Sequence, residues 1–162
     1  MILYWAYGSN LNIKAMRERC PGARPLAPLF VEDGALVFRS IADVVSRSGG
    51  TVPGGLWEIS AQNERELDTY EGVRGGLYLK KYLLLKYKGK KQRCLYYQMT
   101  ESRGVMPPGR YYYDTIVQGY KDFKLPLEPL YAALEEAWDE KKPTTQILNR
   151  YKRRGPLVRL EA

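Results

Sequence analysis

The chain has 162 residues, a formal charge of +8, 14 tyrosines and no histidine. That length suits one domain with a real core. The missing imidazole excludes histidine triads, imidazole bases and the usual zinc sites, so acid–base work near neutral pH falls to a carboxylate, tyrosine, lysine or cysteine. No apolar run is long enough to span a bilayer, and the N-terminus lacks the pattern of a secretory signal. Cys20 and Cys94 form no Cys-x-x-Cys pair. They read as buried small residues in a reducing compartment, so a cytoplasmic location with no membrane partner is expected.

The first element is an apolar run, Leu3-Tyr4-Trp5-Ala6-Tyr7, that reads as a buried strand and stops at Gly8. Ser9 and Asn10 are good N-caps for a helix beginning near Leu11, with Leu11, Ala15 and Met16 on one face. Amides at such a strand–turn–helix junction lack internal partners and suit a carboxylate or an oxyanion. It is not a phosphate loop, because the glycine and lysine pattern of one is missing. An ordinary strand-to-helix connection has the same appearance.

Cys20-Pro21-Gly22 ends this helix. Residues 25–31 and 35–41 predict two strands around an Asp33-Gly34 turn, and 46–54 read as a loop. A short strand follows at 55–59 with Trp57. Ser60 caps a helix running to about Tyr70, which the glycines of 71–76 break. Residues 77–87 and 91–99 predict a hairpin through Lys88-Gly89-Lys90, in a curved sheet or small barrel. After a loop over 100–110, a short helix starts at Tyr111 and ends near Gly119. Leu127, Leu130, Tyr131, Leu134, Ala137 and Trp138 mark the apolar face of a last helix. One domain over 1–142 is expected, followed by a basic tail over 143–162 that carries Arg150, Lys152, Arg153 and Arg154.

Glu71 stands where a helix stops. The negative end of the helix dipole disfavours its charge, and Tyr70 and Val73 beside it add desolvation. A carboxylate so placed can take a proton and return it. A solvated glutamate ending a surface helix is the plainer reading of the same position.

Tyr7-Gly8-Ser9-Asn10-Leu11, together with Asp68-Thr69-Tyr70-Glu71-Gly72-Val73-Arg74-Gly75-Gly76-Leu77-Tyr78, resembles the γ-glutamylcyclotransferase family, which includes AIG2-like and butirosin-type proteins. Gly54-Gly55-Leu56-Trp57-Glu58-Ile59 is similar to the family's strand before its catalytic helix. Tyr112, Ile116-Val117-Gln118-Gly119 and Leu125-Pro126 resemble its later substrate-contacting segment. The resemblance covers residues 1 to about 135 and leaves the tail without a counterpart. It implies an α+β fold, a small mixed β-barrel flanked by helices. It implies an enzyme that releases 5-oxoproline and a free amine or amino acid from a small γ-glutamyl compound, with no cofactor and no metal. Glu71 is then the general acid/base, and Tyr4, Tyr7, Gly8, Ser9, Asn10, Leu11, Tyr78 and Tyr112 are the substrate-binding residues.

Two other readings remain at this point. One is a nucleic-acid-binding module that uses the basic tail and stacks bases on its tyrosines. The other is a catalytically silent member of the fold. The Tyr-Gly-Ser-Asn form resembles the γ-glutamyl amino acid branch of the family, while glutathione, an isopeptide-linked lysine or a glutamylated antibiotic intermediate present the same reacting half; the oligomeric state is not encoded in any motif.

Overall fold

The computed structural model describes residues 1–100 and 104–139 and the backbone strand 157–159. Six strands and four α-helices form a mixed α+β architecture: β1 (Ile2–Ala6), α1 (Ile13–Arg19), β2 (Arg24–Arg39), β3 (Ile41–Ile59), α2 (Ala61–Tyr70), β4 (Tyr78–Tyr87), β5 (Lys90–Met99), α3 (Arg110–Asp122), α4 (Glu128–Trp138) and β6 (Leu157–Arg159). Their order in the sheet is β4-β5-β1-β3-β2-β6.

β1 lies between two neighbours. It runs antiparallel to β3, with Tyr4 opposite Trp57 and Ala6 opposite Gly55, and parallel to β5, with Tyr4 opposite Leu95. A strand covered on both faces needs a continuous apolar run, and Leu3 to Tyr7 supply one. The glycines of β3 make room for what packs there. A Cβ on Gly54 would sit 2.0 Å from the Trp5 indole nitrogen, and one on Gly55 would sit 2.6 Å from the Phe123 ring.

β2 and β3 depart from the expected pattern. Asp33-Gly34 is not the hairpin turn. β2 continues through it, and the chain reverses at Ser40, where Arg39 faces Ile41. Residues 46–54, expected as a loop, belong to β3. Asp33 (φ 56) instead marks a bulge, where Glu32 faces Thr51 but Gly34 faces Ser46, and its carboxylate accepts from the Gly49 amide at 3.1 Å. Left-handed backbone serves a bulge as readily as a turn, so Asp-Gly and Gly-Gly fit both.

Among the described residues the sheet is not closed into a barrel; its ladder is open, with β4 and β6 at the edges. The start of β3 curls over β5 through side-chain bonds. Asp43 accepts from the Met99 amide at 3.0 Å, and Gln98 donates to the Val44 carbonyl at 2.6 Å. This curl roofs the cavity described below.

The helix after β1 also differs from expectation. Ser9–Leu11 forms a single 3₁₀ turn, and the cap of α1 is Asn12, whose side chain accepts from the Ala15 amide at 2.9 Å. α3 runs past Gly119 to Asp122 because that glycine sits inside the helix against Leu11, where a Cβ would meet the Leu11 Cβ at 2.4 Å. α2 begins at the expected Ser60, in a reciprocal capping box with Asn63. Its Leu67 is fully buried, which contributes about 1.5–3 kcal/mol. Lys80 of β4 bridges Glu64 and Asp68 at 2.7 Å each, holding the helix to the sheet. Cys20 and Cys94 are buried free thiols. Apart from the β6 backbone, which pairs parallel to β2, the basic tail lies outside the described residues.

Candidate active site

α2 ends in a Schellman arrangement, and this sets the position of Glu71. The Val73 amide donates to the Asp68 carbonyl at 3.0 Å, and the Gly72 amide donates to Thr69 at 3.1 Å. Gly72 is in the left-handed region (φ 64), which a glycine adopts without steric cost. Glu71 is therefore the C-cap, at the negative end of the helix.

Its side chain lines a cavity of about 270 Å³ between the end of α2, the 3₁₀ turn and the curled start of β3. Tyr4, Tyr7, Gly8, Ser9, Asn10, Glu71, Tyr78 and Tyr112 all line it. Leu11 does not. It is fully buried against α3, because the residue after Asn10 turns into the core. Ile41, Ala42, Tyr70, Leu77 and Tyr97 complete the lining and were not expected from the sequence as binding residues.

Asn10 is the organising side chain, buried to 3 % exposure. Its amide nitrogen donates to Glu71 Oε1 and to the Tyr4 hydroxyl, both at 2.8 Å. Its carbonyl oxygen accepts from Arg19 Nη1. A guanidinium only donates, so Arg19 determines which way the amide faces. Arg19 also stacks 3.4 Å from the centroid of Tyr70, whose hydroxyl is 3.1 Å from Ser9 Oγ.

Ala42 orients two more hydroxyls with opposite polarity. Its amide donates to Tyr112 Oη at 3.0 Å, and its carbonyl accepts from the Tyr78 hydroxyl. Tyr112 thus keeps its proton for another acceptor, whereas Tyr78 keeps lone pairs. Tyr7 spends its proton on the Tyr97 carbonyl, and Tyr97 donates to Asp68 at 2.8 Å. The backbone amides of Gly8, Ser9 and Asn10 have no hydrogen-bond partner among the described residues. They form a cluster of donors at the 3₁₀ turn, suited to negative oxygen.

Burial pushes the Glu71 carboxyl up to about 7, against the opposing charge of Arg19 and the Asn10 hydrogen bond. Near neutral pH it is therefore present in both forms, the condition in which one group accepts and returns a proton. The other candidate bases fall away. Burial, with neighbouring negative groups, raises the Tyr4, Tyr7, Tyr78 and Tyr112 phenols, so they stay protonated. Among the described residues no lysine or cysteine lines the cavity. Among the described residues no three His, Cys, Asp or Glu side chains converge as metal ligands.

The chain is similar to known proteins over most of its length. The model of the AIG2-like family matches residues 51–131. A γ-glutamylcyclotransferase from Bos taurus is 33 % identical, over 78 % of this chain and 73 % of the relative. One from Homo sapiens is 32 % identical over the same shares. A solved structure described as a γ-glutamyl cyclotransferase superposes with a TM-score of 0.70 at 30 % identity, covering 85 % of this chain and 86 % of that one. Fold and sequence lead to one assignment: the chain belongs to the AIG2-like γ-glutamylcyclotransferase family.

Proposed function

We propose that this chain converts a γ-glutamyl compound into 5-oxoproline and a free amine, with Glu71 as the sole proton carrier. The observation that supports this most is that Glu71, the one carboxyl among the described lining residues and pushed up to about 7 by desolvation, shares its cavity with a turn of unpaired amides. The Glu71 carboxylate takes a proton from the substrate α-ammonium. The freed amine nitrogen attacks the γ-carbonyl carbon, and the electron pair of the C=O bond moves onto oxygen. The amides of Gly8, Ser9 and Asn10 and the hydroxyl of Tyr112 are the donors for that oxyanion or for the α-carboxylate. Tyr78, with its lone pairs turned inward, is an acceptor for the α-amine; Tyr4 and Tyr7 form the floor. As the oxyanion collapses, the bond to the leaving nitrogen breaks and Glu71 returns its proton there; the remaining extra proton on the ring nitrogen passes to the regenerated Glu71 carboxylate and from it to the released amine, which departs as an ammonium ion.

Nucleophile and electrophile belong to one molecule, so holding the glutamyl chain folded supplies much of the acceleration. No water enters the product. The catalytic unit in this reading is residues 1–142, acting on a small molecule in the cytoplasm, with the basic tail outside it. The comparisons do not favour the nucleic-acid reading. The test is turnover in heavy-oxygen water. Unlabelled 5-oxoproline is expected, and an N-acetylated γ-glutamyl substrate should not react. Labelled glutamate as the first product would indicate a hydrolase and overturn the cyclisation.

A further inference from the structure

A second pocket, of about 470 Å³, lies beside the cavity that holds Glu71. The two share Ser9, Tyr70 and Tyr112, and the outer one adds Glu18, Arg19 and Tyr111. Arg19 does not line the inner cavity.

The state of Arg19 is unusual for a partly buried cation. A guanidinium has five N–H donors, and one of them goes to Asn10. Its face rests on the Tyr70 ring. Among the described residues it makes no ion pair, and Glu18 in the same pocket does not pair with it. Arg24, Arg39 and Arg47 each have a carboxylate partner. Arg19 instead presents spare donors to a pocket one wall away from the reacting groups. Planar donor edges of this kind match a carboxylate.

We propose that the outer pocket receives the leaving half of the substrate and that Arg19 binds a carboxylate carried on that half. The proposal rests on the cyclotransfer reading above. In that reading the glutamyl half lies against Glu71 in the inner cavity. The chain beyond the reacting bond crosses the rim made by Ser9 and Tyr70, and Tyr70 is 45 % exposed there. An anion close to the leaving nitrogen then meets the guanidinium, which also tethers Asn10. Arg19 becomes a specificity residue: it rewards leaving amines with an adjacent carboxylate and disfavours plain alkylamines.

The test compares γ-glutamylglycine with γ-glutamylmethylamide, which differ only in that carboxylate. kcat/KM is measured for both on the full chain and on Arg19→Gln and Arg19→Lys, with thermal melts as a folding check. The unaltered chain should prefer the glycine compound by about 10- to 100-fold, as expected for a hydrogen bond to a charged group, and Arg19→Gln should reduce the preference to about threefold or less. Arg19→Lys keeps the charge and should keep part of the preference; if the glutamine variant does not fold, the lysine variant carries the comparison. An equal fall on both compounds in either variant, with the preference unchanged, would mean that Arg19 only positions Asn10, and would overturn the proposal. Equal turnover of both by the unaltered chain would overturn it too, while leaving cyclotransfer standing. No 5-oxoproline from either compound would remove the cyclotransfer reading and this proposal with it.

Discussion

Two carboxylates that desolvation raises, the buried Asp43 and the half-buried Glu71, differ in their surroundings. Asp43, in β3, is 3 % exposed and is raised by burial, yet it is well supplied with donors. Arg39 Nε lies 3.1 Å from it, and the Val44 and Met99 amides donate at 2.8 and 3.0 Å. Glu71 has one hydrogen-bond donor among the described residues, Asn10, and Arg19 acts on it through Asn10 and by charge. Burial without full compensation leaves a carboxyl that exchanges its proton near neutral pH; burial with compensation makes a structural joint. Asp43 ties β3 to β5 and so shapes the roof of the cavity, whereas Glu71 faces its interior.

The sharpest way to separate the two is to neutralise each. Glu71→Gln should lower kcat by about 100- to 10,000-fold, the usual range for a lost general acid–base group, while the protein stays folded. The same change should stabilise it at high pH. A carboxyl whose folded pKa is raised from 4.5 to about 7 favours the folded state at low pH and progressively opposes it as pH rises to about 7. At about 1.4 kcal/mol per pH unit, the gain from Glu71→Gln approaches an upper bound of about 3 kcal/mol above pH 7 and vanishes below pH 4.5. Chemical denaturation at pH 5 and pH 8 measures it. A Glu71→Gln protein with near-normal kcat, or one destabilised at pH 8, would break the contrast.

Asp43→Ala should behave in the opposite manner. Removing one partner of a buried, hydrogen-bonded pair costs about 3–5 kcal/mol, because Arg39 and two amides lose an acceptor. The loss should appear in denaturant midpoints, with activity falling alongside the folded fraction. A stable but inactive Asp43→Ala would move Asp43 from structure into chemistry.

Smaller effects are expected at the 3₁₀ turn. Gly8→Val should cost more activity than Ser9→Ala. A Cβ on Gly8 would sit 3.1 Å from the Ala42 Cβ and 3.5 Å from the Tyr112 hydroxyl, closing the cavity from within. Ser9→Ala removes one 3.1 Å bond to Tyr70, worth about 1 kcal/mol, and leaves the backbone donors in place. Steady-state kinetics on both variants decide it; a harmless Gly8→Val beside an inactive Ser9→Ala would refute the backbone role.

What the sequence revealed and what it concealed divide along the same physical line. Gly8 to Asn10 and Glu71 to Val73 were legible because each segment encodes its own local backbone: a turn after a buried strand, and a helix stop with glycine in the left-handed region. Ala42, Tyr97 and Arg19 were not. Ala42 reaches the cavity through the β2–β3 hairpin, whose reversal at Ser40 carries no strong turn signal. The stronger Asp33-Gly34 signal was spent on a bulge. Tyr97 depends on the pairing of β5 with β1, a parallel contact between strands some ninety residues apart. Arg19 is brought to Asn10 by the short run of α1, and an arginine in a last helical turn reads from sequence as a solvated charge. Leu11 errs in the other direction, since a motif names neighbours in sequence while a turn sends them to different faces. The open ladder was concealed as well, because curvature comes from the bulge and from Asp43 and Gln98 and not from any strand alone.

The assignment of proton transfer at neutral pH to Glu71, and not to Asp43, separates the two carboxylates. It is tested most directly by following the side-chain carboxyl carbons of labelled glutamate by NMR across pH 3 to 9, with Glu71→Gln assigning the signal. One glutamate resonance that titrates at about 7 and is missing from the variant is expected. A Glu71 resonance that titrates near 4.5, as a solvated side chain would, contradicts the assignment.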